Sequence, residues 1–116
     1  MKPINNHINY IEFITHDLEA TKTFYNQAFG WEFTDYGDNY VAFESSGVAG
    51  GFEKVDKPIV NGVLVVLYHD NLDDAKSKIL DLGGRLSVDT FSFPGGRRFQ
   101  FLDPSGNELA VWCHDQ

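Results

Sequence analysis

A chain of 116 residues is large enough for one domain with its own core and too small for two independent ones. Its formal charge of -8 leaves no basic stripe for phosphates, Arg97-Arg98 being the only adjacent basic pair, so nucleic acid is excluded as an expected partner. No segment approaches the roughly 20 apolar residues of a membrane span, and the opening MKPINNHINY lacks the apolar core of a secretory leader, so a cytoplasmic protein with no membrane partner is expected.

The first strand is predicted from Ile8 to Ile14 (INYIEFI). A helix follows, with Asp17 as N-cap, Leu18, Phe24, Tyr25 and Ala28 on its inward face, and Gly30 as its stop. Trp31 to Thr34, Tyr40 to Glu44 and Val48 to Lys54 read as short strands of an antiparallel meander, punctuated by Asp38-Asn39 and Ser45-Ser46-Gly47. The first module, residues 8–54, is therefore β-α-β-β-β. Residues 55–62 read as a linker.

The second module, residues 63–112, starts the pattern again. Val63 to Tyr68 is a strand, and Asn71 caps a helix that turns Leu72, Ala75, Ile79 and Leu82 inward and ends at Gly83-Gly84. Arg85 to Val88 is a short strand before a loop through Phe93, and Pro94-Gly95-Gly96 ends that segment. Arg98 to Leu102 and Glu108 to Trp112 then alternate polar and apolar residues around Asp103-Pro104-Ser105-Gly106, which suits a type I turn because Pro presets φ and Asp bonds the amides ahead of it.

The repeat has a constant register. Asn71-Leu72 follows Asp17-Leu18, Lys76 follows Lys22, and Gly84 follows Gly30, each 54 residues later. Neither four-stranded sheet can bury its helix side and also close a cavity alone. The predicted fold class is thus α+β, a single domain in which two βαβββ modules form a curved, mixed β-sheet cup.

Strand alternation assigns the even positions to the hollow of that cup: Tyr10, Glu12 and Ile14, then Leu64, Val66 and Tyr68, then Arg98, Gln100, Glu108 and Trp112. Ten Phe, five Tyr and two Trp exceed what a core of this size usually holds, so some are expected to line a cavity or an interface. The one cysteine, Cys113, shares the parity of Leu109 and Val111 and is expected to be a buried thiol.

The stretches YIEFITHDLEATKTFYNQAFGWEF and GGRRFQFLDPSGNELAVW together resemble the two signatures of the vicinal oxygen chelate superfamily, which includes glyoxalase I, bleomycin-resistance proteins and extradiol dioxygenases. The resemblance covers nearly the whole chain and implies the glyoxalase/bleomycin resistance-like fold. It implies a homodimer as well. Metal-dependent members hold a divalent ion with a His, a Glu, a second His and a second Glu on four strands. Those positions correspond here to Tyr10, to Gly50 or Gly51, to Leu64 and to Ala110. Leu, Ala and Gly side chains offer no donor to zinc, nickel or iron. The expectation is therefore no familial metal and no cofactor.

The ligand-binding candidates are Tyr10, Glu12, Leu64, Tyr68, Arg98, Gln100, Glu108 and Trp112. Glu12, lying between Ile11 and Phe13, costs desolvation unless it is paired. It either satisfies Arg98 in a structural ion pair or serves as a ligand anchor or general base. Arg98 is a candidate clamp for an acidic group, and Arg97 is expected in solvent. Glu108 reads as a strand-end charge or as a pocket acid. His16 and His69, each at the exit of a first strand, are expected as loop caps, the alternative being a displaced metal site; His7 and His114 are expected at the surface.

Two functions follow from these residues. The leading expectation is a protein that binds a small apolar or aromatic, possibly acidic, molecule without the familial metal. The alternative is a lyase, isomerase or dioxygenase-type enzyme using Glu12 as base or a displaced metal. A structural dimer module with a vestigial cavity is a third reading.

Overall fold

The computed structural model describes residues 2–115. The described chain is α+β, with eight strands and two helices: β1 (Ile8–Thr15), α1 (Leu18–Phe29), β2 (Glu32–Asp35), β3 (Tyr40–Glu44), β4 (Gly50–Lys54), β5 (Val63–Tyr68), α2 (Leu72–Asp81), β6 (Arg85–Phe93), β7 (Gly96–Leu102) and β8 (Glu108–His114). Contacts divide it into two compact units, one formed by Tyr10–Leu64 and the other by the segments flanking it.

In the first unit the strand order is β2-β3-β4-β1, with β1 and β4 parallel and the other pairs antiparallel. Asp17 caps α1 by accepting from the Ala20 amide, and Gly30 ends it in the left-handed region at φ 76°. The helix packs Leu18 and Tyr25 onto one sheet face, against Val41, Phe43 and Phe52 with Phe13, Trp31 and Phe33 around them. Tyr25 stacks on Trp31 at 4.9 Å, and Trp31 meets Phe43 at 4.8 Å, so much of the aromatic content is absorbed by this core.

Two helix-face expectations are corrected here. Phe24 is 60% exposed, and Ala28 is exposed as well. At about 100° per residue, the face of Leu18 and Tyr25 continues through Thr21, Lys22 and Phe29 and leaves Phe24 well to one side. Thr21 and Lys22 use that face for polar contacts: the Thr21 and Thr15 hydroxyls lie 2.7 Å apart, and Lys22 Nζ reaches Asp35 Oδ1 at 3.0 Å.

The second unit repeats the topology as β6-β7-β8-β5, with β5 and β8 parallel. Its core is Leu72, Phe99, Val111 and Cys113, with Leu67, Ala75, Ile79, Leu86 and Phe101 packed around them. Cys113 is fully buried. Asn71 caps α2 by accepting from the Asp74 amide, whereas Leu82 is the C-cap and is 75% exposed, not inward. The expected spacing of Leu82 would need one more helical turn, and Gly83 at φ 100° stops the chain first. The 54-residue offset extends to an ion pair: Lys76 Nζ reaches Asp89 Oδ1 at 2.8 Å, the counterpart of Lys22 and Asp35.

β6 runs through Phe93, where a loop was expected after Val88. Its pairing with β7 shifts register between Leu86 and Val88 and again between Val88 and Phe91. Each irregularity moves a side chain to the other face, so the alternation that marks a strand is broken in the sequence while the ladder continues. Pro94-Gly95 is the turn of this hairpin, with Gly95 at φ 101°, and Gly96 already belongs to β7. The segment before β1 joins this unit: the Asn6 amide donates to the Tyr68 carbonyl at 2.8 Å, and the Tyr68 amide to the His7 carbonyl at 3.1 Å.

At the last turn Asp103 accepts from the Gly106 amide through its carbonyl and from the Ser105 and Asn107 amides through Oδ1, each at 2.9 Å. The Asn107 side chain adds a bond to Oδ2 at 3.0 Å. These bonds, the Asn107 side chain first, hold the Asp103 carboxyl below its ordinary range. No helix among the described residues is long and apolar enough to cross a membrane.

Candidate functional site

Because each helix covers one sheet face, the chemistry-bearing side chains collect on the other. In the first unit Phe13 faces α1, so Tyr10, Glu12 and Ile14 take the helix-free face. The register pairs Glu12 with Gly51 on β4 and Gly51 with Ala42 on β3. Tyr40, two residues before Ala42, lies on this same face.

The two glycines at the start of β4 decide what happens next. A Cβ on Gly50 would run into the Phe43 ring on the helix side, and a Cβ on Gly51 would lie 2.5 Å from the Tyr40 hydroxyl and 2.7 Å from Tyr40 Cε1. Both glycines are buried by these rings. Their missing side chains let two β3 aromatics lie across β4, one on each face.

Lying over Gly51, Tyr40 reaches the side chains of β1. Its hydroxyl is 2.6 Å from the Tyr10 hydroxyl and donates to Glu12 Oε2 at 3.1 Å. Burial holds the Tyr40 phenol well above its ordinary pKa, and the nearby Glu12 carboxylate adds to the shift by opposing a second negative charge. Tyr40 therefore keeps its proton. Tyr10, Tyr40 and Glu12 form one row of hydrogen-bonding groups on an otherwise apolar floor.

In the second unit the helix-free face carries Val66, Tyr68, Arg98, Gln100, Glu108, Ala110 and Trp112, with Arg98 opposite Trp112 and Gln100 opposite Ala110. Leu64 opens β5 at the same parity and is half-buried. Arg98 donates to Gln100 Oε1 at 3.2 Å, and its guanidinium lies 5.3 Å from the centre of the Phe91 ring. Gln100 Nε2 donates to Glu108 Oε2 at 3.1 Å, and Ser87 donates to the same oxygen at 2.6 Å. Glu108 is thus held by two neutral donors rather than standing as an isolated strand-end charge.

Trp112 meets Tyr68 edge-on at 5.2 Å and His114 at 4.6 Å, and its indole N–H donates to Asn9 Oδ1 at 3.0 Å. His114 is the last residue of β8 and belongs to this aromatic group, although it was expected beyond the strand. Arg97 is exposed, on the opposite parity from Arg98. His16 Nε2 donates to the Lys57 carbonyl at 2.8 Å, and His69 Nδ1 accepts from the Asn71 amide at 2.9 Å; both act as loop contacts.

Sequence reasoning missed Tyr40, Ser87, Asn9 and His114. Alternation within YVAFE already puts Tyr40 opposite Val41 and Phe43, but only the strand order shows that Gly51 separates it from Glu12. The metal expected of the family's metal-dependent members finds no fitting donors. Its positions hold Tyr10, Leu64, Ala110 and Gly51, and the space above Gly51 is taken by Tyr40. Among the described residues, no three His, Cys, Asp or Glu side chains gather into a group that could hold an ion.

Known proteins give this geometry a context. The model of the Glyoxalase/Bleomycin resistance protein/Dioxygenase superfamily matches residues 7–111. "Putative glyoxylase CFP32" of Mycobacterium bovis is 27% identical over 118 residues, covering 90% of this chain and 44% of the relative, and the Mycobacterium tuberculosis protein of that name aligns equally. The chain thus spans less than half the length of these curated relatives. Among solved structures, Streptomyces coelicolor methylmalonyl-CoA epimerase in complex with 2-nitronate-propionyl-CoA has a TM-score of 0.73 at 20% identity, covering 97% of this chain and 100% of that one. The Mn(II)-bound glyoxalase from Novosphingobium aromaticivorans has a TM-score of 0.68 at 21% identity, covering 94% of this chain and 39% of that one. At these identities the structures share the fold. By the match across residues 7–111, the chain belongs to the glyoxalase/bleomycin resistance protein/dioxygenase superfamily.

Proposed function

We propose that the chain binds a small apolar or aromatic molecule on the helix-free faces of its sheets, without the divalent ion of its metal-dependent relatives. The observation that carries this reading is the Tyr40 ring lying over Gly51, where a metal-holding Glu would need to project. A wall of apolar side chains with a few placed polar groups suits a small-molecule site. The proposed contacts are Tyr10, Glu12 and Leu64 on the first unit's strands and Tyr68, Arg98, Gln100, Glu108 and Trp112 on the second unit's. Arg98, oriented by Gln100, is the proposed partner for an acidic group on the ligand. A homodimer in the cytoplasm completes the proposal, since β2 and β6 end their strand orders as edges and the lone cysteine is buried.

The test is a fluorescence titration of the full chain, in buffer containing a chelator, with neutral aromatic compounds and aromatic carboxylates. Saturable binding is expected, weakened by Glu12→Gln for the neutral compounds and by Arg98→Ala for the carboxylates. If no compound saturates, or if both variants change only stability, the binding reading fails and the chain is a structural module.

A second reading makes Glu12 a general base. The Tyr40 hydroxyl at 3.1 Å gives the carboxylate a fixed hydrogen-bond partner and hence a fixed orientation, as a positioned base needs. Deuterium exchange into a carbon acid bound by the protein, lost in Glu12→Gln with binding retained, would establish it. Equal exchange in both proteins would remove it.

A further inference from the structure

We infer that Tyr10 is a specificity-determining acceptor for a ligand hydroxyl, because the row Tyr10–Tyr40–Glu12 is polarised in one direction. This inference rests on the reading that the face bearing the row binds a ligand, and it narrows the class of group received there. A neutral alcohol, enol or phenol is favoured at Tyr10 over an ether or an anion.

The direction follows from counting protons. A carboxylate has no hydrogen to give, and a phenol has one. Tyr40 uses its hydrogen on Glu12 Oε2 at 3.1 Å. In the 2.6 Å contact between the phenols, the Tyr40 oxygen must then accept and Tyr10 must donate. Tyr10 has committed its only hydrogen, and what its oxygen presents to a ligand is lone pairs. An incoming O–H donor extends the row, whereas an ether or anionic oxygen meets a group that cannot donate without breaking the 2.6 Å bond.

The row is held in place by the fold and not by chance rotation of the rings. Tyr10 and Glu12 are on one strand at the same parity, and Gly51 is what permits the Tyr40 ring to reach across to them. The desolvated environment that keeps Tyr40 protonated agrees with this polarity, since an ionised Tyr40 would abolish it.

The experiment measures the affinity of the full chain for 4-nitrophenol, at a pH where that probe is neutral, and for its methyl ether 4-nitroanisole. Wild-type protein is expected to prefer the phenol by about fivefold to tenfold, the size of one net hydrogen bond. Tyr40→Phe keeps the ring over Gly51 but returns to Tyr10 a hydrogen it can offer to the ether, so the preference should fall to near unity. Tyr10→Phe should abolish the preference while leaving the bond from Tyr40 to Glu12. Equal binding of both probes by the wild type, or a preference unchanged in both variants, overturns the inference while ligand binding stands. Binding of neither probe overturns both.

Discussion

The Tyr40 hydroxyl lies 2.5 Å from the point where a Cβ on Gly51 would stand. That relationship links the strand order, the loss of a side chain on β4 and the hydrogen-bonded row that ends on Glu12. It also explains why a carboxylate cannot be restored by a single substitution on this face.

Gly51→Ala is expected to destabilise the protein by about 1–3 kcal/mol, because the added methyl has to displace a packed ring and the Val41 carbonyl lies 2.6 Å away. Gly51→Glu should cost more and should not create metal affinity. Urea unfolding compares the three proteins. A Gly51→Ala variant as stable as the wild type would show that the Tyr40 ring moves aside freely.

Tyr40 gives an alkaline signature. Its folded pKa is raised above the ordinary 10.0, so the associated stability is present below that value and is lost as pH rises beyond it, where the unfolded phenol ionises and the folded one does not. Tyr40→Phe should flatten the stability curve above pH 10. While both proteins remain folded, their ultraviolet titrations should show the same phenolate yield. An additional phenolate in the folded wild type would contradict this.

Phe99 is completely buried against Leu72, Val111 and Cys113, whereas Phe24 is 60% exposed. Phe99→Ala is expected to cost about 3–5 kcal/mol, and Phe24→Ala about 0.5 kcal/mol or less. Denaturant midpoints read the difference directly. Similar losses would mean that α1 packs through a different face.

These contrasts show what the residues disclosed and what they concealed. The 54-residue offset placed both helices and their caps, because Asp17, Gly30 and Asn71 act through local geometry that the chain carries with it. Alternation placed Tyr10 with Glu12 and Arg98 with Trp112 on helix-free faces, since a strand's period needs no knowledge of its neighbours. Tyr40 was hidden because its role depends on β4 lying between β3 and β1, a non-local fact. β6 was truncated because its two register shifts scramble the period-two signal. Phe24 was misplaced by counting hydrophobicity before angle.

Asp103 organises the last hairpin, and its depressed pKa sets an acid signature. Its contribution is present above the ordinary value of 3.8 and is lost as pH falls through the lower folded value. Asp103→Ala should be less stable than the wild type at neutral pH, with the gap narrowing below pH 3.8. Thermal unfolding across that range provides the check. A gap that stays constant with pH would mean that the Asn107 and backbone bonds to the carboxylate are not formed.

The replacement of metal-holding positions by Tyr10, Gly51, Leu64 and Ala110 makes the central claim open to one direct measurement. Elemental analysis of the full chain, purified without chelator, should find no stoichiometric zinc, nickel, manganese or iron, and ligand binding should survive EDTA unchanged. A stoichiometric ion, removed by EDTA together with binding or with activity on a hemithioacetal or a catechol, would contradict it.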